Sequence, residues 1–91
     1  MESINKLIIL GKEQLDCGNY DNALNFFEQA ISLDQKDPDL WNLKGITLRS
    51  LGRYDEAISC FNKSLSIDPL IKIHHDKITK AQEMQFQNNI R

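Results

Sequence analysis

The sequence is short of most features that announce a chemistry. Its 91 residues contain two cysteines, two prolines, four glycines and one tryptophan. Cys17 and Cys60 lie too far apart for any metal-ligand or redox spacing. Both are expected as reduced thiols packed like small apolar groups, since a disulfide would require a secreted context that nothing in the sequence offers. The four glycines are scattered, so no phosphate-cradling loop exists. Long apolar runs are missing too: Leu7-Ile8-Ile9-Leu10 is closed by Gly11 and Lys12. That run is too short for a membrane span or a signal-peptide core, so no membrane partner is expected and the cytoplasm is the expected compartment. Finally, no block of like charge stands out. A formal net charge of -2 is spread along the chain, which argues against nucleic acid as a partner.

Catalytic groups are equally sparse. The adjacent His74 and His75, followed by Asp76, look suggestive. On a helix, however, neighbours point about 100° apart and cannot converge on one site. His75 is expected as a packing residue and His74 as a surface one. The many aspartates fall mainly at helix starts and turns, where capping accounts for them. No nucleophile–base pair, metal site or cofactor site can be argued, and the chain is not expected to be an enzyme.

What is present is an ordinary globular balance, with 41% hydrophobic and 26% charged residues. The length suits one domain, one that buries only roughly 60–65% of the surface its unfolded chain exposes. The dominant signal is an internal repeat. Shifting the chain by 34 residues aligns Gly11 with Gly45, Gly18 with Gly52, Tyr20 with Tyr54 and Asp21 with Asp55. The same offset pairs Ala23 with Ala57, Phe27 with Phe61 and Asp34 with Asp68. Conservative pairs fill the gaps: Leu24 with Ile58, Ile31 with Leu65, and Leu33 with Ile67.

Each unit reads as two helices. Leu7, Leu10 and Leu15 recur at helical spacing before Gly18, which stops the first helix in a left-handed conformation. Ala23, Leu24, Phe27, Ala30 and Ile31 then form one apolar stripe, echoed by Ala57, Ile58, Phe61, Ser64 and Leu65. Asp37-Pro38 and Asp68-Pro69 mark helix starts, with the aspartate capping and the proline suited to the first helical position. The pattern predicts helices near 2–17, 20–33, 37–51, 54–67 and 69–88. Connections this short force antiparallel neighbours. Gly11, Gly45, Ala23 and Ala57 would let paired helices approach closely, with Phe27 and Phe61 filling the layer beside them and Tyr20 and Tyr54 covering the turns.

These residues resemble the tetratricopeptide repeat, a 34-residue unit with Trp-x-x-Leu-Gly followed by Ala, Phe, Ala and Pro. Trp41, Gly45, Ala57, Phe61 and Pro69 match in the second unit, with Gly52 and Tyr54; Lys44 departs from Leu and Ser64 from Ala. Leu10, Gly11, Ala23, Phe27 and Ala30 match in the first, where Leu7 stands for the Trp and Gln35 for the final Pro. The resemblance implies an all-α fold: antiparallel helix-turn-helix hairpins stacked as a short right-handed superhelix of about five helices. Residues 1–91 would form a single domain, with repeats at about 4–37 and 38–71 and a capping helix at about 72–91. Ile71, His75, Ile78 and Gln82 give that last helix a thin packing stripe, while Ile73, Met84, Phe86 and Ile90 stay apolar elsewhere. Two repeats are fewer than the three or so usually stacked, so something is expected to cover the exposed surfaces unless the module is marginal alone.

The resemblance also implies a concave groove lined by the first helix of each hairpin. The candidates are Asn5, Ile8, Lys12 and Leu15, then Asp39, Asn42, Ile46 and Arg49, then Ile73, Asp76, Lys80 and Glu83. Each set recurs at three- and four-residue spacing and so shares a helix face. Ile8 and Ile46 would be apolar pads, Lys12, Arg49 and Lys80 would meet acidic groups, and Asn42 would bond a peptide backbone. One subtype of the family clamps the terminal carboxylate of chaperone tails. At its positions this sequence has Ile8, Lys12, Leu43, Ile73 and Lys77, of which only Lys77 keeps a comparable charge, so that clamp is largely absent. The expected function is a protein- or peptide-binding module using the concave face. The alternative is self-assembly, a homo-oligomer or scaffold built through the C-terminal helix.

Overall fold

A computed structural model describes residues 2–69, the side chain of Glu2 excepted. Among them are four helices: α1 (Glu2–Asp16), α2 (Tyr20–Leu33), α3 (Pro38–Ser50) and α4 (Tyr54–Ile67). α1 packs against α2 and α3 against α4 as two hairpins, and a smaller contact between α2 and α3 joins them. The helix expected beyond Pro69, and with it the proposed cap, lies outside the described residues.

The boundaries follow from local chemistry. α1 and α3 end in the same way: Gly18 and Gly52 take φ of 82° and 80°, a left-handed conformation that only glycine enters without strain. The amide of Asn19 then donates to Gln14 O at 2.8 Å and that of Arg53 to Leu48 O at 2.9 Å. This closes the C-terminal motif that uses otherwise orphaned carbonyls. α3 starts one residue later than expected because Asp37 stands outside the helix as its cap. Its carboxylate accepts from the Asp39 amide at 2.9 Å, with Pro38 at the first helical position. Arg53, just before α4, grips the Glu56 carboxylate with two nitrogens, at 2.6 and 2.8 Å. That hydrogen bonding holds the Glu56 carboxyl below the usual glutamate value.

Inside each hairpin a glycine faces a phenylalanine. A Cβ on Gly11 would lie 2.5 Å from Phe27 Cε1, and one on Gly45 would lie 2.7 Å from Phe61 Cδ1. Both rings are fully buried, beside Ala23 and Ala57. The helices therefore approach to a distance that only hydrogen at these two positions permits. Between the hairpins, Leu24 joins Leu48, Ala57, Cys60 and Phe61 in one cluster. Ala30, Ile31 and Leu40 form another, flanked by Ile4, Leu7, Ile8, Trp41 and Leu43.

Two departures from the repeat signature, Lys44 and Ser64, have a structural reason. Lys44 reaches back to α2, where its ammonium lies 3.4 Å from a Glu28 carboxylate oxygen and 5.6 Å from the Trp41 ring centroid. A half-buried cation thus replaces an apolar contact between hairpins with an ion pair and a cation–π contact. Ser64 is wholly buried, and its hydroxyl donates to Pro38 O at 2.7 Å, tying α4 to the start of α3. Gln35, in place of a proline, accepts from the Trp41 indole N–H through its backbone carbonyl at 2.9 Å, a bond any residue there could make.

The two thiols differ from the expectation of a matched pair. Both are free, and Cys60 is buried in the first cluster as expected, but Cys17 is exposed. Cys17 occupies the exposed turn just after α1, whereas Cys60 lies in the cluster at the seam between hairpins. Burial pushes the Cys60 thiol up from its ordinary value.

Candidate protein-binding face

The candidate face is built on α1 and α3, the first helices of the two hairpins. The 34-residue offset makes Asn5, Ile8, Lys12 and Leu15 the counterparts of Asp39, Asn42, Ile46 and Arg49. Asn42, Ile46 and Arg49 stand at i, i+4 and i+7 and so project from one side of α3. Ile8 and Lys12 share a side of α1 in the same way. Lys80, Ile73, Asp76 and Glu83 lie outside the described residues.

Burial separates the candidates. Asn5, Lys12 and Asp39 are exposed, and Ile8, Leu15, Ile46 and Arg49 are half-buried. The isoleucines are not free pads: Ile8 leans on the Ala30–Ile31–Leu40 cluster, and Ile46 on the cluster around Phe61. Each presents only part of its surface. Asn42 is the deepest, at 7% exposure. Among the described residues its Oδ1 has no hydrogen-bond partner, and neither has the buried Nη1 of Arg49 two turns along the helix. A buried polar atom without a partner costs about 1–3 kcal/mol. Two such atoms on one stripe of one helix are an unmet demand for a donor and an acceptor.

Sequence reasoning found Asn42 and Arg49 but not that they would be orphaned, which depends on what packs around them. It also missed the polar outer side of α1. On α3, Leu40, Leu43 and Leu48 join the clusters shared with α2, and Thr47 is fully buried. Their counterparts in α1 are Lys6, Ile9, Gln14 and Glu13; the first two and Glu13 are exposed. Gln14 is instead spent on the turn, its Oε1 accepting from Asn19 Nδ2 at 3.0 Å. Only Ile9 stays apolar there, at 56% exposure. The 34-residue comparison carries this signal once the packed side of α3 is known.

Two open depressions lie elsewhere, one lined by Gly18–Asn22 and Leu51, the other by Ser3, Ile4, Leu33 and Asp34. Neither includes a groove candidate. Among the described residues no three His, Cys, Asp or Glu side chains gather as metal ligands, and no helix is long and apolar enough to cross a membrane.

Comparison with known proteins gives the same pattern a wider frame. Tetratricopeptide repeat models match at residues 7–37 and 38–69, between them more than half of the chain. No curated protein sequence matches. Among solved structures, MamA is similar at a TM-score of 0.86 and 26% identity, over 91% of this chain and 48% of that one. The chain thus spans about half the length of MamA. The TPR2B domain of yeast Sti1, in its complex with pHsp70, is similar at 0.88 and 21% identity, over 92% of this chain and 67% of that one. The Sgt2 TPR domain from Aspergillus fumigatus is similar at 0.90 and 16% identity, over 96% and 58%. The likenesses to Sti1 and Sgt2 are of fold alone.

Proposed function

The chain belongs to the tetratricopeptide repeat family, and on that premise we propose that it is a non-enzymatic module that binds a peptide or protein along the face formed by α1 and α3. The observation that carries this reading is the pair on α3, Asn42 Oδ1 and Arg49 Nη1, both buried and without partners among the described residues. Buried polar atoms are nearly always paired, and a bound chain would supply a donor to Asn42 and an acceptor to Arg49. Support also comes from yeast Sti1, whose similar domains were solved in complexes with pHsp70 and pHSP90. The partner here is of another kind than a chaperone tail, because Ile8, Lys12 and Leu43 stand where the carboxylate clamp would be.

In this proposal residues 1–91 act as one domain, with residues 72–91 closing the array, since a terminal unit needs one polar side. Ile8, Lys12, Asn42, Ile46, Arg49 and Lys80 are the contact residues. The test is partner capture by the wild-type chain and by Ile46→Glu, which places a charge in the middle of the stripe. Capture should be lost while far-UV circular dichroism is unchanged. Equal capture by the variant removes the reading.

A further inference from the structure

The outer side of α1 carries a self-complementary charge pattern. Lys6, Ile9 and Glu13 are exposed and stand at i, i+3 and i+7, so they share one side of the helix. That side lies more than about 100° round the helix from the stripe of Ile8 and Lys12. Ile9 and Leu33 are the exposed large hydrophobics among the described residues. Neither Lys6 nor Glu13 enters an ion pair among the described residues. The two charges stand about 10.5 Å apart along the axis, with Ile9 between them.

The charges decide what can cover this side. The equivalent side of α3, with Leu40, Leu43 and Thr47, packs towards α2 and is apolar or buried. A fourth helix from another copy would offer α1 the residues Ile58, Asn62 and Leu65, the counterparts of Leu24, Glu28 and Ile31. That set holds no charge for Lys6 or Glu13. α1 itself holds both.

We infer that α1 pairs with α1 of a second copy of this chain, antiparallel about a two-fold axis passing between Ile9 and Leu10. In that register Lys6 meets the partner's Glu13, Glu13 meets the partner's Lys6, and Ile9 covers the partner's half-buried Leu10. The other charged residues of α1, Glu2, Lys12 and Asp16, fall level with Cys17, Leu7 and Ser3, so no like charges oppose. Moving the axis to Lys6 or to Glu13 sets that residue against its own copy, and a parallel pairing opposes both like pairs. The pattern thus selects one orientation and one register. The contact is isologous and closes at two copies. It leaves the α1–α3 face of each copy open, so the dimer presents two binding faces and gains avidity for a repeated partner. α1 has 15 residues and is about 22 Å long. One helix side of that length falls short of the standard interface of about 1,600 Å², so a weak dimer is expected, dissociating at roughly 10–100 µM.

The experiment is sedimentation equilibrium of the full chain from about 10 µM to 1 mM, a range that brackets that affinity. A monomer–dimer equilibrium is expected, weakened as salt is added. Lys6→Glu and Glu13→Lys each oppose like charges at both symmetric sites and should raise the dissociation constant about tenfold or more. Mixing these two variants should restore a dimer with one chain of each kind, and the double variant should dimerise like wild type. Neither gain can come from an unfolded chain, and unchanged circular dichroism checks each single variant. Deleting residues 84–91 should leave the dimer intact. A chain that stays monomeric up to 1 mM overturns the inference. So does a dimer that survives both single changes, a mixture that stays monomeric, or a dimer lost with residues 84–91.

Discussion

Replacing Gly11 with alanine sets two effects of known sign against each other. In a helix interior, alanine is favoured over glycine by about 1 kcal/mol. The new methyl, however, would sit 2.5 Å from Phe27 Cε1 and 2.8 Å from Cδ1. Carbon atoms prefer separations of about 3.5–4.0 Å, so the ring must retreat by roughly 1 Å. Phe27 is fully buried and has no open side to retreat into, and overpacking of this kind costs about 1–3 kcal/mol. Gly11→Ala should therefore be neutral to destabilising by about 2 kcal/mol, up to about 4–8 °C in Tm per kcal/mol for a domain of this size. The decisive comparison is the same change in a Phe27→Leu background, where the obstructing ring is gone and alanine should become stabilising. Urea unfolding followed by circular dichroism gives all four stabilities of the cycle. A coupling below about 0.5 kcal/mol, the range expected of independent sites, would refute the close approach. Gly18→Ala is the control: nothing lies within 4 Å of its added Cβ, yet its φ of 82° should make it cost about 1 kcal/mol in both backgrounds alike.

Two further outcomes follow from the same structure. Asp37→Ala removes the carboxylate that accepts from the Asp39 amide and should destabilise by about 0.5–2 kcal/mol in urea unfolding, whereas Asp37→Asn should retain most of the stability; equal loss in both would show that the cap is not what Asp37 contributes. In native protein a thiol reagent should modify Cys17 rapidly and Cys60 only on unfolding, because Cys60 is buried and its thiol is held protonated to higher pH; two equally fast thiols by mass spectrometry would contradict the packing around Cys60.

The helices were legible in the sequence because their punctuation is chemical and local. Gly18, Gly52 and Asp37-Pro38 place three boundaries to within one residue, and the predicted 20–33 and 54–67 coincide with α2 and α4. The glycine–phenylalanine layer could be read because both members recur at the same offset. Contacts that depend on a third element were not legible. Nothing local tells Lys44 that Glu28 lies across the seam, or distinguishes Cys17 in a turn from Cys60 in a cluster. On the candidate face, residue types and helical spacing gave the stripe. The half-burial of Ile8 and Ile46 and the orphaned atoms of Asn42 and Arg49 arise from tertiary packing and leave no trace in the spacing.

The glycine–phenylalanine contacts join residues only sixteen positions apart in each hairpin, and among the described residues every extensive helix pairing is between consecutive elements. Little chain has to be looped out before contact is made, so the loop-closure entropy that slows sheet proteins is small here. Folding in microseconds to milliseconds is the corresponding regime. Each hairpin can also nucleate on its own, as in other linear arrays. On the ribosome, α1 and α2 have everything needed to close around Phe27 before α4 is synthesised. The seam of Leu24, Leu48 and the Lys44–Glu28 pair is then what converts two early hairpins into one cooperative transition.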